Sequence, residues 1–151
     1  MRLYFLRHGE ADWPDWAGKD DHRPLTITGR EEIRQVAKFL VRLNAGVDLM
    51  LTSPLPRAAQ TADIAAEYLK VGVRKENLLA PGFGIGALEQ ILAENPRQDL
   101  LLVGHEPDFA EVIRALTGGR VKFSKGGVAL LEVSGREGKL LWLFPPKVAK
   151  A

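Results

Sequence analysis

Hydrophobic residues occur along this chain in two kinds of segment, short strand-length runs and stretches with helical spacing. The strand-like runs are Leu3–Leu6, Val47–Thr52, Leu100–Val103, Val128–Val133 and Leu140–Phe144. Leu3–Leu6 and Leu100–Val103 are hydrophobic at every position, which is typical of strands covered on both faces. The pattern therefore predicts a sheet whose central strands are buried between two other layers.

Four helices are predicted between these runs, at about residues 28–45, 53–69, 85–94 and 107–116. In the first, Thr28 and Glu31 form a capping box, which predicts that the helix starts at Thr28. In the second, the hydroxyl of Ser53 and the proline after it predict a start at Ser53. Leu78 and Leu79 are interpreted as one further short strand.

Helices that alternate with strands predict an α/β fold. The connections are then crossovers, so the sheet is mostly parallel and lies between two helical layers. The last two strand-like runs are separated only by Ser-Gly-Arg-Glu-Gly and predict a closing antiparallel hairpin. We therefore expect a single three-layer α/β/α domain over residues 1–146, followed by a short, loose tail at 147–151.

Composition narrows the classes of function. The 151 residues allow one domain of ordinary size, and a formal charge of +2 argues against a dedicated nucleic-acid binder. The chain has no cysteine, which excludes a disulfide framework, a zinc–cysteine site and a cysteine nucleophile. No apolar run approaches the roughly 20 residues that cross a bilayer, and no secretion signal precedes the first strand. We expect a cytoplasmic monomer without a membrane segment.

Charged and imidazole side chains follow three of the predicted strands at the point where each strand ends. Arg7 and His8 follow the first strand, Arg57 lies in the first helical turn after the second, and His105 follows Leu100–Val103. Sites in open α/β sheets lie beyond the carboxyl ends of the strands. The sequence therefore predicts that two histidines and two arginines meet at one edge of the sheet.

This set of side chains suits a phosphoryl group. A guanidinium presents a planar fork to two phosphate oxygens, and a helix N-terminus near Arg57 adds free N–H groups. Neighbouring guanidinium charges keep a histidine neutral and therefore nucleophilic. Taken alone, each histidine is more often a structural residue and each arginine a surface ion-pair partner, so the prediction depends on their joint placement. His22, in the polar loop, is interpreted as an incidental exposed residue.

Four segments, in this order, resemble the motifs of the histidine phosphatase superfamily, the phosphoglycerate-mutase-like phosphatases. They are Arg7-His8-Gly9-Glu10, Arg23-Pro24-Leu25-Thr26 with Gly29, Ser53-Pro54 with Arg57 and Gln60-Thr61-Ala62, and Gly104-His105-Glu106-Pro107. Within the superfamily, the short chain and the Arg-Pro-Leu-Thr segment resemble the SixA-type phosphohistidine phosphatases most. The resemblance implies a phosphoglycerate-mutase-like fold over nearly the whole chain.

The resemblance also implies a role for each matching residue. His8 would be the nucleophile and would carry a transient phosphoryl group. Arg7, Arg57 and His105 would bind the phosphoryl oxygens, with Arg23 as a further substrate-binding residue. No cofactor and no metal are implied. Histidines with metal-ligand spacing are also absent from the sequence, and arginines beside the site would repel a cation.

The chain differs from the larger members of the superfamily in the residue expected to act as general acid. Larger members take a carboxylate from the loop before the third predicted helix, but residues 80–86 contain none. Glu89, a turn inside the helix, is better explained as a solvated helix position. Glu10, Asp20 and Asp21 are the other candidates, and Asp20 is preferred as the proton donor. The lack of a strong candidate for the general acid fits phosphohistidine as the substrate, because its leaving nitrogen needs little help from a proton donor.

The expected substrate is a phosphorylated side chain on a protein partner, such as a histidine phosphotransfer domain. A chain of this length has no room for an inserted cap, so we expect an open pocket. Two other functions stay open. One is a small phosphomonoesterase acting on a metabolite or other small phosphorylated molecule, or on phosphoserine or phosphotyrosine. The other is a non-catalytic module that binds phosphate.

Overall fold

In a computed structural model, residues 1–150 form six strands and four α-helices. The strands are β1 (Arg2–Arg7), β2 (Leu49–Thr52), β3 (Val73–Lys75), β4 (Leu100–Gly104), β5 (Val128–Ser134) and β6 (Glu137–Phe144). The helices are α1 (Ile27–Arg42), α2 (Pro56–Leu69), α3 (Ile85–Glu94) and α4 (Asp108–Thr117). None of these helices combines the length and the apolar character that crossing a bilayer requires.

All six strands belong to one sheet, in the order β3-β2-β4-β1-β5-β6. β1, β2, β3 and β4 are parallel to their neighbours in that group, whereas β5 is antiparallel to β1 and to β6. The mostly parallel sheet and the closing hairpin are therefore confirmed. β1 lies between β4 and β5, so the strand that leads to His8 has a partner on each side.

The sheet separates two apolar clusters, which explains the unbroken hydrophobic run of β1. Tyr4 and Leu6 pack on the face covered by α1 and α2, whereas Leu3 and Phe5 pack on the face covered by α3 and α4. All four side chains are at most 1% exposed. Because successive residues of a strand point to opposite faces, a strand covered on both faces must be apolar at every position.

The helix starts differ from the sequence prediction. Thr26, and not Thr28, caps α1, and its Oγ1 accepts a hydrogen bond of 3.0 Å from the Gly29 N–H. The predicted capping box of Thr28 with Glu31 is therefore wrong. α2 begins at Pro56 rather than at Ser53, because the chain between them stays extended at Leu55.

Two further expectations are corrected. Leu78 and Leu79 lie in a short 3₁₀ turn, and the additional strand is β3, a few residues earlier. The segment after Pro145 is not loose, because Pro146–Lys150 forms a 3₁₀ turn in which Ala149 is only 5% exposed and packs into the cluster under α1. Burial of this apolar side chain holds the segment in place. Ala151 lies outside the described residues.

Gly29→Ala should lower the free energy of unfolding by about 1–3 kcal/mol, the usual cost of overpacking. A Cβ at Gly29 would lie 2.3 Å from the carbonyl oxygen of Glu10, and backbone cannot move aside as a side chain can. Gly86→Ala is the matched control near the start of α3, where a Cβ meets nothing within 4 Å. The control should be neutral or stabilising by up to about 1 kcal/mol. Urea unfolding compares the two variants, and equal effects would contradict the assigned packing.

Candidate active site

The ends of three adjacent strands bring the predicted residues together. Arg7 is in register with Gly104, and the His8 N–H donates to the Gly104 carbonyl at 3.0 Å. The N–H of Ser53, directly after β2, donates to the carbonyl of Val103 at 3.0 Å. The rings of His8 and His105 consequently lie with their centroids 5.3 Å apart. The structure thus places both histidines at one sheet edge, as the sequence predicts.

Two glycines allow this close assembly. A Cβ at Gly9 would lie 2.9 Å from Cγ1 of Ile33, and a Cβ at Gly104 would lie 2.7 Å from the ring of Phe109. Both distances are shorter than packed carbon atoms tolerate. Neither glycine has a positive φ, so each is required here for space.

The His8 ring is held in one tautomer. Its Nδ1 lies 2.7 Å from the carbonyl oxygen of Gly9, and a carbonyl oxygen can only accept, so Nδ1 carries the proton. Burial, and then the positive charges near the ring at Arg57 and Arg7 together with His105, lower the pKa of His8 to about 3. The ring is therefore neutral at pH 7 and has its lone pair on Nε2. That nitrogen is the nucleophilic atom of a neutral imidazole.

Thr61 ties the His8 loop to α2. Its Oγ1 accepts from the Gly9 N–H at 3.0 Å and donates to the carbonyl of Arg57 at 2.7 Å. The neighbouring Gln60 accepts from the backbone N–H of Leu25 through Oε1 at 2.8 Å. These polar residues, part of the second motif, therefore join three chain segments around the site.

Arg7 and Arg57 bring two guanidinium groups to the same edge. Nη1 of Arg7 donates to the carbonyl of Phe123 at 2.8 Å, and Nη1 of Arg57 lies 3.4 Å from the carbonyl of Asp20. Burial lowers the pKa of both, although a guanidinium keeps its charge in proteins. In each, Nε is buried without a hydrogen-bond partner among residues 1–150. An anion with several acceptor oxygens would satisfy these donors.

His105 is paired with Ser53. Its Nε2 lies 2.7 Å from Ser53 Oγ, and its Nδ1 is buried without a partner in the described part of the chain. Burial, followed by the charges of Arg57 and Arg7, lowers the pKa of His105 to about 4. The site therefore holds two neutral imidazoles beside two permanent cations.

Arg23 and Asp20 lie at the rim, bound to each other. Arg23 Nε is 2.9 Å from Asp20 Oδ1, and its Nη1 donates to the carbonyl of Ala11 at 2.7 Å. The charge of Arg23 also acts on Arg57, so the two guanidinium groups are neighbours. The Asp20 side chain is 77% exposed. Both residues reach the site from the loop between β1 and α1.

The other acids differ in their distance from the site. Glu89 forms a salt bridge of 2.9 Å with Arg136. Arg136 lies in the turn between β5 and β6, at the end of the sheet opposite the site. Oε1 of Glu10 accepts from the Thr26 hydroxyl at 3.2 Å. Asp21 is exposed in the same rim turn as Asp20, and its charge acts on Arg57 and His105. His22 is exposed, as expected.

Glu106 is an acid that sequence reasoning did not consider as a proton donor. Its Oε1 accepts from the Ala110 N–H at 2.8 Å, and its charge acts on Arg7. Burial raises the pKa of this carboxyl above its ordinary value. Its place directly after His105, on a loop leaving a predicted strand, was the signal available in the sequence.

Comparison with known proteins assigns the family. A model of the histidine phosphatase superfamily (branch 1) matches residues 3–80. The chain is 41% identical over 138 residues, 85% of this chain and 82% of the relative, to an uncharacterized protein of Picosynechococcus sp.. It is 29% identical to the phosphohistidine phosphatase SixA of Escherichia coli, covering 100% of this chain and 99% of that protein. The chain therefore belongs to the histidine phosphatase superfamily.

A solved structure agrees with this assignment. The structure of the protein histidine phosphatase SixA complexed with tungstate matches with a TM-score of 0.87 and 26% sequence identity, covering 99% of this chain and 100% of that chain. The expected phosphoglycerate-mutase-like fold and the likeness to SixA-type proteins are thus confirmed. Membership of the superfamily and the likeness to SixA together support phosphatase activity.

The neutral histidines predict how stability depends on pH. The pKa of His8 is about 3 and that of His105 about 4 in the folded chain, below the ordinary 6.5. Between pH 6.5 and 4 the unfolded chain therefore binds more protons, so the free energy of unfolding should fall as the pH is lowered through this range. Urea unfolding at a series of pH values measures the slope.

The double variant His8→Gln/His105→Gln is the control, because the carboxylates it retains still titrate. Its free energy of unfolding should fall less steeply than that of the wild type, most clearly above pH 5. Identical slopes would show that the two rings are protonated normally in the folded chain.

Proposed function

We propose that this chain is a phosphohistidine phosphatase that removes the phosphoryl group from a protein partner and carries it transiently on His8. The observation that supports this most directly is the His8 ring, whose Nδ1 is bound to the Gly9 carbonyl while Nε2 keeps its lone pair. Two guanidinium groups beside that ring supply the charge that a phosphoryl group needs.

In the first step, Nε2 of His8 forms a bond to phosphorus. The bond between phosphorus and the substrate nitrogen breaks, and its electron pair leaves with that nitrogen, which takes up a proton. The phosphorylated ring of His8 then carries positive charge, and the Gly9 carbonyl, which accepts from Nδ1, stabilises it.

Arg7, Arg57 and His105 are proposed to hold the phosphoryl oxygens during this transfer. The buried Nε atoms of both arginines lack partners in the described chain and can donate, and Nδ1 of His105 is likewise buried without a partner there. Phosphoryl transfer depends mainly on positioning and on stabilising charge, which fixed cations supply without reorganisation. Arg23, held by Asp20, is proposed to bind the substrate at the rim.

In the second step, the oxygen of a water molecule bonds to phosphorus and the bond to Nε2 of His8 breaks. The lone pair returns to Nε2, inorganic phosphate leaves, and a proton of the water is released. Asp20 and Glu106 are the two carboxyl groups proposed to move protons in these steps. Asp20 is at the exposed rim, whereas Glu106 is half-buried beside Arg7 and has a raised pKa because of its burial.

The chemistry of the acids supports phosphohistidine as the substrate. Residues 80–86 contain no carboxylate, and the nearest acid on α3, Glu89, is engaged with Arg136. A phosphoramidate needs less protonation of its leaving group than an alkyl phosphate does. SixA of Escherichia coli, which matches this chain over its whole length, is called a phosphohistidine phosphatase. A protein partner, such as a histidine phosphotransfer domain, is proposed to present the phosphorylated side chain.

A panel of substrates tests this proposal. We expect kcat/KM to be highest on a histidine-phosphorylated protein and lower on phosphoserine and phosphotyrosine peptides and on an alkyl phosphate. EDTA should leave the rate unchanged, and His8→Ala should lower it by roughly 10³-fold or more.

Each contrary result has a definite meaning. Preference for the phosphate esters would identify a phosphomonoesterase. Equal rates for wild type and His8→Ala would identify a binding module without catalysis. Loss of activity with EDTA would indicate a metal-dependent reaction.

Arg57→Ala should lower kcat/KM by on the order of 10²-fold and weaken inhibition by vanadate in parallel, because it removes a buried cation with an unpaired N–H donor from the proposed phosphoryl site. Arg34→Ala is the matched control, since Arg34 forms an exposed ion pair with Glu31 on α1. Steady-state kinetics with vanadate titration measures both. An unchanged vanadate affinity in Arg57→Ala would contradict the assigned role.

A further inference from the structure

The hydroxyl of Ser53 is aimed at the ring of His105. Ser53 is fully buried at the end of β2, and its Oγ lies 2.7 Å from Nε2 of His105. The backbone N–H of Ser53 donates to the carbonyl of Val103, which fixes the serine against the strand that precedes the histidine. The contact is therefore built into the sheet edge.

The other nitrogen of the ring has no partner. Nδ1 of His105 is buried, and no residue among 1–150 hydrogen bonds to it. Leaving a buried polar atom unpaired costs about 1–3 kcal/mol. Such an atom beside two guanidinium groups is expected to bind a ligand, and under the proposed function that ligand is a phosphoryl oxygen.

The two neutral forms of the ring differ in what they can bind. With the proton on Nε2, the ring donates to Ser53, and Nδ1 presents a lone pair that repels phosphoryl oxygens. With the proton on Nδ1, the ring presents a donor to those oxygens, and Nε2 must accept. Only the second form lets a neutral His105 bind the substrate.

The hydrogen bonds of Ser53 favour the second form. Its Oγ already accepts from the Leu55 N–H, at 3.3 Å. If Ser53 Oγ also accepted from His105, the hydroxyl hydrogen of Ser53 would have no acceptor in either of these two contacts. If instead it donates to Nε2, both the hydroxyl hydrogen and the ring nitrogen are satisfied.

We propose that Ser53 is a positioning residue that donates to Nε2 of His105 and thereby holds the proton on Nδ1, where it binds a phosphoryl oxygen. The ligand in this inference rests on the proposed function. His8 and His105 then share one tautomer but present opposite atoms to phosphorus. His8 offers the bare Nε2, which attacks, and His105 offers the protonated Nδ1, which binds.

The tautomer can be measured in the ligand-free protein. ¹⁵N NMR of the imidazole rings at pH 7, with His105 assigned by comparison with His105→Gln, should show a protonated Nδ1 and an unprotonated Nε2. A proton on Nε2, or on both nitrogens, would overturn the proposal. This result does not depend on substrate. If the protein failed to bind vanadate, the proposed function would be contradicted, but the tautomer measurement would still decide whether Ser53 holds the proton on Nδ1.

Variants of Ser53 test its part in this arrangement. Ser53→Ala should shift the ring towards the Nε2-protonated form and weaken vanadate binding by about 10-fold, the worth of one hydrogen bond to a charged group. Ser53→Thr keeps the hydroxyl and should restore both. Thr52→Val is the matched control, because Thr52 is equally buried but its hydroxyl donates to the Ser53 carbonyl.

The variants also separate positioning from simple packing. Thr52→Val should leave the tautomer unchanged and the vanadate affinity within about twofold of wild type. An unchanged tautomer in folded Ser53→Ala would contradict the proposal, as would an equal loss of vanadate affinity in both variants. If Ser53→Ala does not fold, Ser53→Thr and the wild-type spectrum still decide it.

Discussion

The site depends on one electrostatic constraint, the burial of two imidazole rings beside two guanidinium groups. Burial disfavours the charged form of each ring, and the fixed charges of Arg7 and Arg57 add to this effect, so the pKa of His8 falls to about 3 and that of His105 to about 4. A neutral ring is what a nitrogen nucleophile requires. Under the proposed function the two cations serve two purposes, since they help burial to keep the His8 ring neutral and they attract the phosphoryl group.

The fold maintains this arrangement with backbone contacts. Three carbonyls orient the site: Gly9 just after β1, Gly104 at the end of β4, and Phe123 in the segment between α4 and β5. Thr61 links the loop of His8 and Gly9 to the helix of Arg57. His8 and His105 are thus positioned by residues at the ends of β1, β2 and β4, whereas Arg7 and Arg57 also contact loop carbonyls, those of Phe123 and Asp20.

Much of this arrangement could be predicted from the sequence because it follows from general rules for parallel sheets. The runs around β1 and β4 identify central strands, and the carboxyl ends of such strands meet at one edge, which places His8 and His105 together. The start of α1 could not be predicted, because Thr26 and Thr28 are both adequate caps. In the folded chain Thr26 is held by Glu10, whose carbonyl accepts from the Thr26 N–H at 3.0 Å, and this contact is absent from any local sequence pattern.

Side chains whose roles depend on tertiary neighbours also escaped prediction. Ser53 resembles a helix cap in the sequence, but in the structure the strand beside it directs the hydroxyl to His105. The burial of Ala149 depends on a cluster that includes residues of α1, far away in sequence. Local patterns report which elements form, whereas the surroundings of a single polar group are decided by the elements that pack on it.

The position of β1 in the sheet has a consequence for how the chain folds during synthesis. β1 is made first, yet Leu3 pairs with Leu100 on one side and with Leu131 on the other. The strand that precedes His8, with its apolar residues Leu3–Leu6, therefore stays unpaired until β4 and β5 have been synthesised. Contacts so distant in sequence slow folding. The central position of β1, which gives it two partners in the folded protein, leaves it unpaired and prone to aggregation in the nascent chain.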